Sequence, residues 1–386
     1  MVPKTADAVI IGAGVIGASI AYHLTRHGIR PLVLEKSDPA AGSSGACDGL
    51  AFMQSKKPGL HLRLALASLK RFSELNEVLG RSIEFKNPGG MCLIESEAEL
   101  AAMQLFMAEQ RTSGLDVKLI DGAEARRREP CLSDKVIAAT YSALDSQVNP
   151  YALTFAFLRA AKSAGARILT GEEVKRIDAV SGKTTGVLTG SGRISAPVVI
   201  NAAGAWAAEI GRMAGLEVPI LPRRGQIVVT AEVPPLIRHC LISAQYVAVK
   251  FTPELAAAGG MGFSLEQADS GNILIGSTRE FVGFDRRTTF EGIRTIASRI
   301  APVIPALKHV PVIRTFGGLR PYTPDGLPIL GKVAGLEGFI MAAGHEGDGI
   351  ALSAITGELI ADLIATGRTQ FPLEAFRLER FREADK

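Results

Sequence analysis

Residues 8–17 read Ala8-Val9-Ile10-Ile11-Gly12-Ala13-Gly14-Val15-Ile16-Gly17, a short apolar run that leads directly into the pattern GxGxxG. The apolar run predicts a buried parallel strand. The periodicity of residues 15–27 predicts a helix that ends at Gly28, and residues 31–35 form a second apolar run. Together these segments predict a βαβ unit that begins almost at residue 1.

The three glycines of this pattern have different roles in a dinucleotide site. Gly12 allows a tight turn, Gly14 lets the backbone approach a pyrophosphate, and Gly17 lets the helix pack closely on the strand. The helix then begins at Val15 with free N–H groups and a positive dipole end that face the phosphates. Glu35 ends the second strand, where a carboxylate accepts hydrogen bonds from ribose hydroxyls. The pattern predicts a bound dinucleotide but does not by itself distinguish FAD from NAD.

The remaining pattern mixes helices and strands throughout the chain. Helices are predicted at residues 60–79, 150–164 and 289–300, and another is predicted to begin at the capping box of Ser96 and Glu99. Strands are predicted at residues 89–94, 198–202, 224–230, 245–251 and 272–277. The last such segment, residues 338–365, reads as a strand, a glycine loop and a helix. The alternation predicts an α/β fold.

Composition excludes several classes of protein. The chain has 386 residues, 47% of them hydrophobic and 21% charged, which is ordinary for a globular protein. A net charge of +4 without long basic blocks argues against nucleic-acid binding. No continuous apolar run is long enough to predict a transmembrane helix. The four cysteines lack the CxxC spacing of a metal site, and reduced thiols fit a cytoplasmic protein.

Four motifs, in order along the chain, resemble the D-amino-acid oxidase superfamily of flavoproteins, which includes glycine oxidase, sarcosine oxidase and the flavin subunits of opine oxidases. The motifs are the opening GxGxxG with Glu35-Lys36 and Gly42-Ser43-Ser44-Gly45, then residues 198–206 (VVINAAGAW), 318–329 (GLRPYTPDGLPI) and 343–350 (AGHEGDGI). The segments 44–49 (SGACDG), 54–59 (QSKKPG) and 276–285 (GSTREFVGFD) are most similar to the opine oxidase flavin subunits.

This resemblance implies a Rossmann-type FAD-binding domain interleaved with a mixed α/β substrate domain. The motif order assigns residues 1–85, 150–217 and 318–386 to the first domain, and residues 86–149 and 219–317 to the second. Sarcosine oxidase attaches its flavin through a cysteine at the position of Gly318, so FAD is expected to be non-covalent here. The residues expected to contact FAD are Gly12, Gly14, Val15, Ile16, Gly17, Glu35, Lys36, Ser43, Ser44, Ala46, Cys47, Asp48, Gly49, Val174, Ala203, Gly204, Trp206, Gly344, His345, Glu346, Gly347, Asp348, Gly349 and Ile350.

The resemblance also implies three residues at the substrate. Arg320 is expected to hold a substrate carboxylate through two parallel hydrogen bonds, with Lys250 and Arg279 as alternative cations. Tyr246, on a predicted strand, is expected to line the substrate pocket, although a half-exposed structural tyrosine is an equal alternative. His345 is expected near the flavin in a catalytic or a structural role.

We therefore expect an FAD-dependent amine or amino-acid dehydrogenase or oxidase. The substrate Cα–H passes as hydride to flavin N5, and the product imine hydrolyses to a keto acid and an amine. Glycine oxidase has a second arginine at the position of Gly347, so the substrate here is expected to be held differently and to be larger, such as an N-substituted amino acid or opine. Electron transfer to a protein acceptor then requires a partner subunit. The alternative is a stand-alone oxidase of glycine, sarcosine or a D-amino acid that uses O₂.

Overall fold

The computed structural model describes residues 2–80, 83–251 and 262–383 of the chain, and it confirms the α/β prediction. In this described part, nine strands form the first sheet, which is mostly parallel around its centre. Its strands are β1 (Ala8–Ile11), β2 (Pro31–Glu35), β8 (Arg167–Thr170), β9 (Val174–Val180), β10 (Lys183–Thr189), β11 (Gly192–Ser195), β12 (Val199–Asn201), β18 (Ile329–Val333) and β19 (Leu336–Ala343).

Strand β1 lies at the centre of this sheet. It pairs in parallel with β2 on one side and with β12 on the other, and β12 pairs in parallel with β19. All four residues of β1 are buried. Helices therefore have to cover both faces, as the continuous apolar run predicted.

The helices of the described residues surround the first sheet and brace the second. They are α1 (Val15–Arg26), α2 (Leu60–Val78), α3 (Glu97–Thr112), α4 (Gly122–Arg128), α5 (Pro150–Ser163), α6 (Ala207–Met213), α7 (Ala244–Phe251), α8 (Phe290–Ile300), α9 (Gly349–Thr366) and α10 (Arg380–Glu383).

Helix α9 is an apolar helix that lies in the core of the fold. In the part of the chain that the structure describes, it is the helix that is long and apolar enough to cross a membrane, yet 61% of it is buried inside the fold. It packs against α1 and α2. The contact with α1 is so close that a Cβ at Gly357 would lie 2.0 Å from Ser19 Oγ. Its apolar character is therefore explained by burial within the protein.

Eight strands of the described residues form the second sheet. They are β4 (Gly90–Ile94), β5 (Lys118–Asp121), β6 (Ala138–Ser142), β13 (Leu221–Thr230), β14 (Cys240–Ser243), β15 (Ser264–Gln267), β16 (Ile273–Gly276) and β17 (Val312–Tyr322). A further pair, β3 (Leu50–Ala51) with β7 (Ser146–Gln147), lies beside it. Strands β13 and β17 form the longest antiparallel pair. The predicted domain boundaries stay a prediction.

One predicted element is wrong. Residues 245–251 were expected to form a strand, but residues 244–251 form helix α7. Ser243, just before the helix, accepts hydrogen bonds through its Oγ from the backbone N–H groups of Tyr246 (3.3 Å) and Phe263 (3.0 Å). This side chain fixes the first turn as a helix N-cap does, and the apolar alternation of the segment does not reveal it.

Candidate active site

The GxGxxG segment forms the predicted tight turn between β1 and α1. Gly12 has φ +107°, and a Cβ there would lie 2.6 Å from the carbonyl oxygen of Ala202. A Cβ at Gly17 would lie 2.0 Å from the carbonyl oxygen of Gly12. Both positions therefore exclude any side chain, for the reasons that the motif predicts.

Two side chains close this turn. Glu35 accepts hydrogen bonds from the backbone N–H groups of Ala13 and Ser37, each at 2.9 Å. Ser44 Oγ accepts a hydrogen bond from the backbone N–H of Val15 (3.0 Å), at the first turn of α1. A carboxylate has about four lone-pair positions, so Glu35 keeps acceptor capacity for two ribose hydroxyls.

A single cavity of about 390 Å³ begins at this turn and extends to the second sheet. Most of the residues predicted at the cofactor and the substrate line it together. From the cofactor set these are Gly12, Gly14, Val15, Ile16, Glu35, Lys36, Ser43, Ser44, Ala46, Cys47, Asp48, Val174, Ala203, Gly204, Trp206, His345, Glu346, Gly347, Gly349 and Ile350, and from the substrate set Arg320, Tyr246 and His345.

Four predicted cofactor residues lie behind the lining. Gly17 packs on the turn itself, as described above. Gly49 donates its N–H to Glu266 (2.7 Å), and Gly344 lies against Thr323, whose Cγ2 would be 2.7 Å from a Cβ. The carboxylate of Asp348 accepts a hydrogen bond from Lys56 (2.7 Å). These residues shape the loops that reach the cavity.

Arg320 stands at the end of the cavity formed by the second sheet. Its Nη1 donates to the carbonyl oxygen of Thr278 (3.1 Å), and its Nη2 donates to Ser277 Oγ. The guanidinium lies over Gly225 on the neighbouring strand, where a Cβ would be 2.2 Å from Nη1. Burial opposes its charge, but the negative groups around it hold the pKa of Arg320 above its ordinary value. A fixed cation is therefore held by neutral oxygens in a confined site.

Glu346 is the nearest anion to this cation. Its Oε1 lies 4.0 Å from Arg320 Nε and is also paired with Arg223. Glu346 has a left-handed backbone, with φ +50°, and its side chain is 7% exposed. The loop that was expected at the flavin thus places one carboxylate between two arginines.

Tyr246 and Arg279 stack beside this end of the cavity. The guanidinium of Arg279 lies 4.1 Å from the centroid of the Tyr246 ring, and its Nη1 donates to the carbonyl oxygen of Tyr246 (3.3 Å). Tyr246 lines the cavity from helix α7, whereas Arg279 does not belong to the lining. The side chain of Lys250 lies outside the described part of the structure.

His345 is buried, 4% exposed, and its Nε2 lies 3.1 Å from Thr356 Oγ1. Burial lowers the pKa of His345 to about 3, even though Asp348 favours the charged form. The ring is therefore neutral at physiological pH. This excludes His345 as a source of positive charge for the site.

A buried ion pair supports the same loop from behind. Lys56 is 1% exposed and donates to the carbonyl oxygen of Phe52 (2.8 Å), to Ser55 Oγ (3.0 Å) and to Asp348 (2.7 Å). Asp348 immediately precedes α9. Lys56, in the 54–59 segment (QSKKPG), thus anchors the N-terminus of α9.

Several cavity residues were not predicted from the sequence. Gly225 and Ile227 line the cavity from β13, whose register with its neighbours only the fold defines. Ser277 and Thr278, whose oxygens hold Arg320, directly follow β16 and lie behind that lining. Gly225 is directly opposite Gly318, and a Cβ at Gly318 would lie 2.1 Å from the carbonyl oxygen of Ala46. No local sequence signal identifies these contacts.

The cavity fits a bound FAD. Gly14 leaves the turn without a side chain where a Cβ would lie 3.1 Å from Ser44 Oγ, Glu35 keeps free lone pairs at the ribose end, and the N-terminus of α9 lines the opposite part. The glycine at position 318 leaves no side chain for a covalent link. These features define a dinucleotide-binding site that accommodates non-covalent FAD.

Comparison with known proteins agrees with this interpretation. The family described as FAD dependent oxidoreductase (DAO) matches residues 7–363, so the chain belongs to that family and FAD is its cofactor. It is 33% identical to hydrogen cyanide synthase subunit HcnC of Pseudomonas aeruginosa, over 98% of this chain and 97% of that protein. It is also 33% identical to glycine oxidase of Geobacillus kaustophilus, over 97% of each.

Solved structures extend the comparison. L-proline dehydrogenase from P. horikoshii superposes with a TM-score of 0.91 at 30% identity, covering 99% of both chains. Iminodiacetate oxidase from Chelativorans sp. BNC1 superposes with a TM-score of 0.83 at 25% identity, covering 96% of this chain and 98% of the other. The predictions of superfamily, fold class, cofactor and oxidoreductase activity are confirmed. This chain is an enzyme of FAD-dependent amino-acid or amine oxidation.

Proposed function

We propose that the substrate is an amino acid with a substituted nitrogen, such as an opine, and that Arg320 holds its carboxylate. The observation that carries this proposal is the guanidinium of Arg320, which is 14% exposed and faces the same cavity as the dinucleotide turn. When bound, FAD supplies the two-electron acceptor. The chain supplies the cation that orients the substrate and a confined site that limits access of water.

The glycine at position 347 favours a substrate larger than glycine. It places no side chain beside Arg320, and a Cβ there would lie 3.4 Å from Arg320 Nε. Glycine oxidase carries an arginine at this position, so this chain lacks one cation that could bind a small substrate. The space that this leaves suits a group on the substrate nitrogen.

Reoxidation by a partner subunit is part of the proposal. The sequence similarity to HcnC, which is named as a subunit, supports an assembled enzyme. Among the described residues, no group of three or more His, Cys, Asp or Glu side chains could hold a metal ion. Four free cysteines fit a cytoplasmic location.

The alternative is a stand-alone oxidase of glycine, sarcosine or a D-amino acid. The end-to-end similarity to glycine oxidase favours it. The two functions differ in the acceptor and in the size of the substrate, so one experiment separates them.

The test is an anaerobic screen that follows flavin bleaching with glycine, sarcosine, proline, iminodiacetate, D- and L-amino acids and opines. We expect fast bleaching by N-substituted amino acids, with slow reoxidation by O₂ and fast reoxidation by an artificial dye. Bleaching by glycine, sarcosine or D-amino acids but not by opines, with rapid O₂ consumption, would establish the alternative. A flavin that no amine or amino acid reduces would refute both.

A further inference from the structure

The cavity-facing surface of the second sheet is formed by residues that share one face of three strands. Gly225 and Ile227 are two positions apart on β13, Gly276 on β16 is directly opposite Ile227, and Ser264 on β15 is opposite Gly276. Residues in these relations project to the same side of a sheet. Two of the four are glycines, so the surface leaves room for other side chains to lie on it.

Two opposite charges lie on this surface. The guanidinium of Arg320 occupies the space above Gly225. The carboxylate of Asp48 comes from the loop between β2 and β3, accepts a hydrogen bond from Ser264 Oγ (2.8 Å), and lies above Gly276, where a Cβ would be 3.7 Å from its Oδ2. Both side chains line the same cavity.

Their separation matches an amino acid. Two positions along a strand span about 7 Å and paired strands lie about 5 Å apart, so the places above Gly225 and Gly276 are roughly 8 Å apart. A carboxylate bound to a guanidinium and an amine bound to a carboxylate use about 3 Å for each hydrogen bond. The molecule itself then has to span the remaining few ångströms, as the carboxylate and the amine of an α-amino acid do.

A second carboxylate stands behind Asp48. Glu266 is 6% exposed, and its Oε1 accepts the N–H of Gly49 (2.7 Å) while its Oε2 is buried with no hydrogen-bond partner among the described residues. Burial, and then the charge of Asp48, raises the pKa of Glu266 to about 8. The carboxyl group of Glu266 therefore keeps its proton more readily than an exposed glutamate does, beside the carboxylate of Asp48.

The other charged or titratable groups around the pair come from several elements. Cys47 is on the same loop, Cys240 is on β14, Asp145 precedes β7, and Arg320 is on β17. Arg320 is the cation among these groups. Arg320 balances the pair from across the cavity, and Glu346, whose Oε1 lies 4.0 Å from Arg320 Nε, compensates part of that charge before a substrate carboxylate binds.

We propose that Asp48 binds the protonated nitrogen of the substrate and accepts its proton, with Glu266 sharing that proton. In this step the N–H bond breaks, an O–H bond forms on the carboxylate pair, and no electron is transferred. The nitrogen regains its lone pair, which assists departure of the Cα hydride in the oxidation. The inference rests on the proposed function and adds a substrate property: the amine binds as a cation that carries a removable proton.

Ligand binding without turnover tests whether Asp48 binds the positively charged nitrogen of the substrate. Betaine (trimethylammonioacetate) carries a carboxylate and a fixed positive charge, and 3,3-dimethylbutanoate has the same shape without that charge. We expect the holoenzyme to bind betaine about tenfold more tightly or better, because a close charge pair in a confined site is worth more than 1.4 kcal/mol. In Asp48→Asn the ratio of the two dissociation constants should fall to about one, while 3,3-dimethylbutanoate still binds.

The pH dependence of anaerobic flavin reduction tests whether Asp48 accepts the proton of the substrate nitrogen. In Asp48→Asn only the neutral fraction of the amine reacts, so the rate should rise about tenfold per pH unit up to the pKa of the substrate. Glu266→Gln should move the pH profile without abolishing reduction. Asp134→Asn, on an exposed loop, is the control for a lost carboxylate.

The outcomes are separable. If amines reduce the flavin but Asp48→Asn keeps both the binding preference and the pH profile of the parent, the inference is wrong and the proposed function stands. If no amine reduces the flavin and neither ligand binds, the proposed function fails and the inference fails with it.

Discussion

Replacing Arg320 by alanine should reduce kcat/KM strongly and leave FAD content unchanged. Truncating one partner of a buried, hydrogen-bonded charge pair costs about 2–5 kcal/mol. Glu346 Oε1 already lies 4.0 Å from Arg320 Nε, so part of the arginine charge is compensated before substrate arrives. We therefore expect the lower part of that range, about 2–3 kcal/mol, which corresponds to roughly 30- to 150-fold in kcat/KM.

The lysine variant separates charge from geometry. In Arg320→Lys the positive charge remains, but a single ammonium cannot reproduce the planar fork that reaches both Thr278 and Ser277. We expect a loss of about tenfold, intermediate between the parent and the alanine variant. Gly225 makes space only for the arginine side chain, so the shorter head group leaves part of that space unfilled.

Steady-state and flavin-reduction kinetics measure both variants, and flavin absorbance gives their FAD content. Arg314→Ala is the matched control, because Arg314 is an exposed arginine on the same strand, β17, outside the lining of the cavity. Near-parental kcat/KM in Arg320→Ala would refute the assignment of Arg320 as the carboxylate-binding residue. It would indicate that Arg279 binds the carboxylate or that the substrate has none.

Three further outcomes are expected. Glu35→Ala should weaken FAD binding by about 1.5–3 kcal/mol, the worth of a charge-assisted hydrogen bond, as measured by fluorescence titration of the apoprotein; unchanged affinity would contradict the ribose contact. Burial raises the pKa of Glu266 to about 8, above its value in the unfolded chain, so the free energy of unfolding of the parent should fall as pH rises from about 5 to 8. Over the same pH range, the free energy of unfolding of Glu266→Gln should fall by at least about 1 kcal/mol less. Lys56→Met leaves the buried carboxylate of Asp348 without its main partner and should lower the free energy of unfolding by about 3 kcal/mol in denaturant titrations, with exposed Lys57→Met as the control that stays unchanged.

The dinucleotide turn could be predicted from the sequence because its physics is local. Gly17 is required by a backbone contact with Gly12, five positions earlier, and Glu35 ends the strand that follows α1. The contact of Gly12 with the carbonyl oxygen of Ala202, about 190 positions later, is the long-range exception. Burial of strand β1 follows equally from its composition. Such features depend on the order of residue types and hardly at all on distant parts of the chain.

The substrate end could be predicted only in part. Arg320 was identified through a motif, but the oxygens that hold it come from residues about forty positions earlier in the chain, and the Gly225 that admits it depends on the register of β13 with β17. The segment that contains Tyr246 has strand-like apolar alternation, yet Ser243 Oγ fixes its first turn as a helix. Long-range register and a single side-chain cap outweighed local propensity there.

The placement of β1 between β2 and β12 has a consequence for synthesis of the protein. Its partner β12 comes nearly 190 residues later in the chain, and β19, the next strand of the parallel core, later still. A nascent chain that has left the ribosome up to α6 therefore still lacks part of the sheet that supports the nucleotide turn. Because β19 and residues 345–350 of the cavity lining are synthesised late, FAD uptake is expected only once translation is nearly complete. Proteins shortened at the C-terminus should accordingly emerge without flavin, even though their GxGxxG turn is intact.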